Sequence, residues 1–400
     1  MPSSHSLQSL CIVADDLSGA ADCAASFAGG ARPVPVFLHG GVPQGAWCAL
    51  DTDTRAMDEA SAAGITRRVF AEFAAAPDEA RPFVYKKIDS TLRGHVGAEL
   101  AAALAAAPQF AAALVAPAFP QQGRTLSGGR LVVHGRAGAD LVAMLEAAGL
   151  KTALLRAAAG AGLLPPIAAA LASGVRAIVV DAASDDELAL VAGASLQPAA
   201  PRLLVAGSAG LARALAVHAV HGAAVDIAAR GPVLVVVGSF SPVSAAQAAQ
   251  VEQAGDALVL RLTAPQWSDD RHAGLRLDTV ATAEAALVQG RHVLVAVAGE
   301  VVQPFTRSLV QAVAAATAPL VRHANACLLT GGDTARAMFD ALDIGCLQVT
   351  GELEPGISIG RAASQGERHF ILKAGGFGDA LALQRVVRRF GTNSGARAPS

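Results

Sequence analysis

A chain of 400 residues with 31 Lys and Arg against 33 Asp and Glu carries a net charge of −2, so it offers no basic field of the kind a nucleic-acid backbone requires. Hydrophobic residues make up 53% of it and aromatic residues 4%; this is a globular composition, and the length favours two domains over one core. The most alanine-rich stretch, 98–118, is broken by Pro108 and Pro117 and does not read as a membrane span.

The N-terminal MPSSHSLQSL lacks a basic region ahead of an apolar run, which argues against a secretory signal and makes a cytoplasmic location the expectation. Strand-like apolar runs then follow at 11–14, 34–38, 83–85, 113–116, 177–180 and 203–206, and again at 233–237, 257–261, 292–297, 326–330 and 369–373. Alanine-rich helical stretches separate them, and continuous apolar strands alternating with helices indicate parallel sheets covered on both faces. Mixed polarity at 222–232 places a domain boundary near residue 229, giving domains 1–228 and 229–400, with a mobile tail at 391–400. The five cysteines are odd in number, widely spaced and without a CxxC pair, so buried free thiols are expected.

Two polar segments stand directly after strand-like runs: IVADDLSGAAD at 12–22 and YKKIDSTLRG at 85–94. Ligands bind outside the carboxyl ends of the strands in open α/β sheets, so both segments fall where a small ligand goes. Asp15, Asp16, Asp89, Ser18, Ser90 and Thr91 are suited to hold hydroxyl groups, and Lys86, Lys87 and Arg93 to hold an anion. The mixture fits a polyhydroxylated acid. Structural roles compete with each assignment: the Asp15–Asp16 pair as a helix cap, the lysines as a solvated strand end, and Arg93 as the neutraliser of Asp89 four residues earlier. Arg124, in PQQGRT, is either a second anion contact or a loop cation.

In the second half, three strand ends lead into glycine-bearing turns followed by helical sequence: VGSFSP at 237–242, LTGGDT at 329–334 and KAGGFGD at 373–379. Glycine lets backbone amides approach an oxyanion, and a following helix N-terminus adds a favourable dipole. Each turn alone is also ordinary α/β construction; three together point to a triphosphate. There is no GxxxxGK[ST] and no GxGxxG opening a βαβ unit, which sets aside P-loop enzymes and Rossmann dehydrogenases. His218 and His221 have metal-like spacing, but nothing completes a ligand set.

Taken in order, with APAFPQQGRT at 116–125 and GSAGLA at 207–212, these motifs resemble the four-carbon acid sugar kinase family over nearly the whole chain. The resemblance implies an α/β protein of two domains, each a mainly parallel sheet flanked by helices, with an inter-domain cleft. It implies an ATP-dependent kinase that phosphorylates a hydroxyl of a threonate, erythronate or 3-oxotetronate. Asp15, Asp16, Lys87, Asp89, Ser90, Arg93 and Gly94 then become substrate contacts, with Arg124 added from the residues themselves. Ser239, Gly331, Gly332, Asp333, Thr334, Gly375 and Gly376 become the nucleotide site, and ATP implies Mg²⁺, which Asp333 would approach. Asp16 is the first choice of proton acceptor and Asp89 the second, with Arg93 and either Lys86 or Lys87 on the substrate carboxylate. Domain closure about 222–231 would bring the reacting oxygens together.

Departures from the family pattern fall in the sugar half and leave the particular acid open: Ser18 for Thr, His95 for Asn, Arg130 for His, and a short stretch after Gly135. The competing readings are a non-catalytic sugar-acid sensor and a nicotinamide-dependent oxidoreductase. A homodimer is the default assembly.

Overall fold

Three apolar runs of five residues with every residue buried, Leu10–Ala14, Ala112–Ala116 and Leu203–Gly207, form the middle of the first sheet. Such strands are covered on both faces and show no polar alternation. In the computed structural model the described residues are 7–29, 32–39, 47–77, 81–158, 160, 162–197, 200–219, 230–238, 240–299 and 307–391. The chain divides into two compact units, Met1–Gly222 and Ala223–Ser400. The expected boundary at 229, most of the hinge segment 222–231, Ser239 and the tail beyond Gly391 lie outside the described residues.

The strands of the first unit are β1 (Leu10–Ala14), β2 (Val34–Phe37), β3 (Trp47–Asp51), β4 (Phe83–Lys87), β5 (Ala112–Ala116), β6 (Arg124–Ser127), β7 (Arg130–Val133), β8 (Arg136–Asp140), β9 (Thr152–Arg156), β10 (Ala177–Asp181) and β11 (Leu203–Gly207). Its helices are α1 (Leu17–Phe27), α2 (Glu59–Ala75), α3 (Val96–Ala106), α4 (Leu141–Ala147), α5 (Leu164–Ala172), α6 (Asp185–Ser195) and α7 (Ala209–Ala216). The main sheet runs β2-β3-β1-β4-β11-β5-β10-β9, with parallel pairing throughout. Strands β6, β7 and β8 form a separate antiparallel sheet. Helices α2 and α3 cover one face through Phe70, Phe73, Leu100 and Leu104. Phe70 meets Phe73 and Phe110 edge-on, at 5.7 and 6.5 Å between ring centroids, contacts worth about 0.5–1.5 kcal/mol each beyond area burial.

From β1 the chain reaches β3 on one side and β4 on the other, so the β1/β4 edge is a topological switch point. The six strand-like runs expected in this half all form. Strands β3 and β9 and the small sheet carry no such run: β3 is only WCALD, and β8, RAGAD, is largely exposed and has no apolar signal.

The second unit holds strands β12 (Val233–Val237), β13 (Leu258–Thr263), β14 (Val293–Ala298), β15 (Ala326–Thr330), β16 (Cys346–Glu354), β17 (Ile357–Arg361) and β18 (His369–Lys373). Its helices are α8 (Pro242–Gln253), α9 (Ala264–Ser268), α10 (Ala273–Val288), α11 (Arg307–Thr317), α12 (Gly332–Ala341) and α13 (Ala382–Phe390). The order is β13-β14-β12-β15-β18-β17-β16; the pairs from β13 to β18 are parallel and β17 is antiparallel to both neighbours. The hairpin β16–β17 was not expected, because β16 alternates buried and half-buried positions and so lacks a continuous apolar run. All five cysteines are free thiols, four of them buried. Among the described residues no helix is long and apolar enough to cross a membrane.

Candidate functional site

Register places the polar turns of the first unit in one row. Ala14, at the end of β1, pairs with Asp51 on one side and Lys87 on the other; Lys87 in turn pairs with Gly207, and Gly207 with Ala116. The residues that follow these strand ends therefore emerge together at the switch point. Asp16 caps α1, its Oδ1 accepting from the Gly19 amide at 3.0 Å. The capping role weighed for the Asp pair is thus real, and Asp16 serves it with one oxygen only.

The group that organises the row is Arg55, which is not among the residues expected from the sequence. Its Nε and Nη2 donate to the two oxygens of Asp15, each at 2.8 Å. Nη2 also lies 2.7 Å from Asp16 Oδ1 and 3.7 Å from Asp89 Oδ1. One guanidinium thus ties three aspartates from two turns into a fixed array, as its planar fork allows. Arg55 comes from the DTDTR segment after β3, and the strand that was missed is the one that carries it.

Lys86 and Lys87 point to opposite faces of β4, as adjacent strand residues do. Lys86 is fully buried with its Nζ 2.6 Å from Glu99 Oε2, and Thr54 Oγ1 donates to the other Glu99 oxygen at 2.6 Å. That lysine is consumed inside the fold, which leaves Lys87 as the anion-binding choice of the pair. Lys87 is 5% exposed, and its ammonium has no partner among the described residues. A Cβ on Gly19 would stand 2.8 Å from Lys87 Nζ and 2.5 Å from Asp16 Oδ1, so glycine makes room for both groups at the start of α1. Ser18 Oγ, in the same turn, is buried and has no partner among the described residues.

After β4, Asp89 Oδ2 accepts from the Thr91 amide at 3.1 Å, from the Thr91 hydroxyl and from Arg93 Nε at 2.9 Å, while Oδ1 accepts from Arg93 Nη2 at 2.8 Å. Arg93 does neutralise Asp89, yet 66% of its side chain stays exposed. Arg124, 8% exposed at the start of β6, donates to the Ser90 hydroxyl and so belongs to the cluster. Gly94 has φ +81, and a Cβ there would meet Asp15 Oδ2 at 3.2 Å. His95 is engaged by the Met57 carbonyl at 2.6 Å, and Arg130 pairs with Asp140 on the small sheet. In GSAGLA, Ser208 caps α7 and donates to the Ala118 carbonyl at 2.9 Å, a packing role.

The electrostatics follow from these contacts. Burial raises the Asp89 pKa, but the hydrogen bonds from Arg93 and the charges of Arg55, Arg93 and Lys87 outweigh it and hold the carboxyl well below the usual range. Burial opposes ionisation of Asp15 too, and Arg55, Lys86 and Lys87 overcome it. Burial pulls Arg124 down, partly offset by the charge of Asp89. Both oxygens of Asp15 and of Asp89 are occupied by arginine. Asp16 Oδ2 is the one oxygen of the three carboxylates with no partner among the described residues.

In the second unit the three glycine turns follow β12, β15 and β18, which are adjacent and parallel, so all three sit at one sheet edge. Gly331 has φ +93 and caps α12, whose first turn holds Gly332, the exposed Asp333 and the buried Thr334. A Cβ on Gly238 would lie 2.5 Å from Thr334 Oγ1. Lys373, at the head of the third glycine turn, is turned inward with no exposed surface. Its Nζ donates to the carbonyls of Ala374, Gly375 and Phe377 at 2.9, 3.3 and 3.0 Å. Burial pulls its pKa down to about 7, and the three carbonyls work against that by supporting the charged form. No group of three or more His, Cys, Asp or Glu able to hold a metal occurs among the described residues.

Both units match families of known proteins. Residues 10–215 match a family described as a sugar-binding N-terminal domain, and residues 234–383 one described as a nucleotide-binding C-terminal domain. A D-threonate kinase of Cupriavidus necator strain H16 is 38% identical over 427 residues, covering 97% of this chain and 99% of its own length. A D-threonate kinase of Bordetella bronchiseptica strain RB50 is 33% identical, with 94% and 96% covered. A solved structure from Salmonella typhimurium LT2 shares the fold, with a TM-score of 0.73 at 21% identity over 96% of this chain and 99% of its own. With both family matches in place and identity sustained along the whole length, the chain belongs to the four-carbon acid sugar kinase family.

Proposed function

We propose that this kinase transfers the terminal phosphoryl group of ATP to a hydroxyl of a threonate-type four-carbon acid, with Asp16 as the proton acceptor. The observation that carries the assignment is the unengaged Oδ2 of Asp16, held in place through Oδ1 by the Gly19 amide and Arg55. Asp89, the second choice, has both oxygens committed and a strongly lowered pKa; its role is to fix Arg93 and Thr91. Lys87, with its unpartnered ammonium, and Arg124 and Arg93 meet the substrate carboxylate. Ser18, Ser90 and Asp15 line the hydroxyls, and Gly94 lets the backbone come close to Asp15.

The residues of the second unit fit a nucleotide. The amides of Gly375 and Gly376 have no acceptor among the described residues, the first-turn amides of α12 lack intrahelical partners as at any helix start, and the expected Ser239 belongs to the same edge by sequence. Asp333 is the carboxylate that would approach Mg²⁺, and a single carboxylate suffices where phosphates and water complete the shell. ATP supplies the phosphoryl group, and Mg²⁺ neutralises charge on it. This chain's own task is alignment: holding the acid by charge, orienting one hydroxyl and accepting its proton. The sensor alternative is not favoured, since relatives matched along nearly the whole chain are named kinases. A cytoplasmic homodimer completes the proposal, on the frequency of closed two-fold assemblies alone, and light scattering checks it.

An ADP-release assay with D-threonate, erythronate and 3-oxotetronates, with and without Mg²⁺, tests the reading. Asp16→Asn is expected to lower kcat by about 10²- to 10⁴-fold with acid binding retained. Undiminished turnover in that variant rules out Asp16 as proton acceptor.

A further inference from the structure

Four side chains in the second unit converge on one face of a single turn. Lys373 Nζ reaches the carbonyls of Ala374, Gly375 and Phe377. Ser241 Oγ and Ser244 Oγ both donate to the Gly375 carbonyl at 2.8 Å. Gln247 Nε2 donates to the carbonyls of Phe377 and Asp379 at 3.0 and 2.7 Å. Lys373, Ser244 and Gln247 are all buried, and Lys373 has no carboxylate partner among the described residues. An uncompensated ammonium is expensive to bury, and Met or Leu would fill the same space at less cost.

In a trans peptide unit the C=O and the N–H point in opposite directions. The Ala374 carbonyl shares its peptide with the Gly375 amide, and the Gly375 carbonyl with the Gly376 amide. Drawing both carbonyls inward therefore turns both amides outward. Hydrogen bonding at the carbonyl also polarises the amide on the other side of the same unit, which strengthens it as a donor. Successive outward amides make a concavity for an anion.

We infer that Lys373, together with Ser241 and Ser244, positions the Gly375 and Gly376 amides for nucleotide phosphate and does so without touching the nucleotide itself. Lys373 is a positioning residue, because its three donors are spent on carbonyls and it has no exposed surface. The inference rests on the reading of this unit as the nucleotide site and adds what holds that site in shape.

Calorimetric titration with ATP, ADP and adenosine separates the two. In Lys373→Met, affinity for ATP and ADP falls at least about tenfold, as expected when donors are misaligned, while adenosine affinity and the KM for D-threonate stay within about twofold of wild type. The double variant Ser241→Ala with Ser244→Ala removes both hydroxyl contacts on the Gly375 carbonyl without changing any charge, and shows the same phosphate-selective loss at smaller size. ATP binding unchanged in either folded variant overturns the inference, as does a parallel loss of ATP and adenosine. If Lys373→Met gives no cooperative thermal transition, the double variant alone decides. Wild-type protein that binds no nucleotide at all overturns the underlying reading instead.

Discussion

Lys86 and Glu99 face each other at 2.6 Å with neither side chain reaching solvent. Thr54, next to Arg55 in sequence, donates to the same carboxylate, so the pair anchors the segment that delivers Arg55 to the three aspartates. Removing one member of a buried pair strands the other charge and costs about 3–5 kcal/mol. Glu99→Ala should show that loss in urea denaturation, and Lys86→Met with Glu99→Leu should recover most of it. If the double variant regains stability while kcat/KM stays depressed, the pair's work is alignment of Arg55. A Glu99→Ala midpoint equal to wild type would contradict the burial argument.

Gly19 is required by its neighbours rather than by its own backbone. Alanine is the better helix former by up to about 1 kcal/mol, so Gly19→Ala should leave stability within about that range. Its Cβ, however, would displace Asp16 and the Lys87 ammonium, which stand 2.5 and 2.8 Å from it. Acid affinity should drop by about tenfold or more, a split between an unshifted Tm and a raised KM that thermal melts and initial rates record together.

Arg55→Lys keeps the charge and loses the fork. Lysine cannot make two parallel N–H bonds to one carboxylate, so Asp15 and Asp16 lose their fixed separation. We expect kcat/KM for the acid to fall about 10²-fold, with ATP affinity unchanged. Wild-type kinetics in this variant would remove Arg55 from the site.

Acid should weaken the first unit through Asp89 and Asp15. Their folded pKa values lie below the ordinary value, which is about 3.9 in an unfolded chain. Between those two values the unfolded chain binds more protons, so stability rises with pH. The stabilisation is complete above about pH 4 and is lost as pH falls through the folded values. Asp89→Asn should flatten the dependence of the urea midpoint on pH below about 4. A wild-type midpoint that does not move in that window would show that the arginine contacts do not hold in solution.

Much of the candidate site was legible because its residues are local. Asp15 and Asp16 follow one apolar run and Asp89, Ser90 and Arg93 another, and strand ends are where α/β ligands go. Arg55 was not legible: β3 is short, and nothing in DTDTR marks its arginine as the group that spans two turns from another strand. The same holds for Lys86 and Lys87, which read alike in the sequence and differ only in the side of the sheet each one faces.

Sequence alone therefore determined the strand–helix alternation, the α/β class in two domains and most of the charged groups at the strand ends, since periodicity and composition act within a few residues. Tertiary structure decided which charge answers which. Lys86 went to Glu99, Lys373 to the carbonyls of its own turn and Arg55 to three aspartates, because partner choice depends on the parallel register of strands distant in the chain and on the burial that makes an unpaired charge costly.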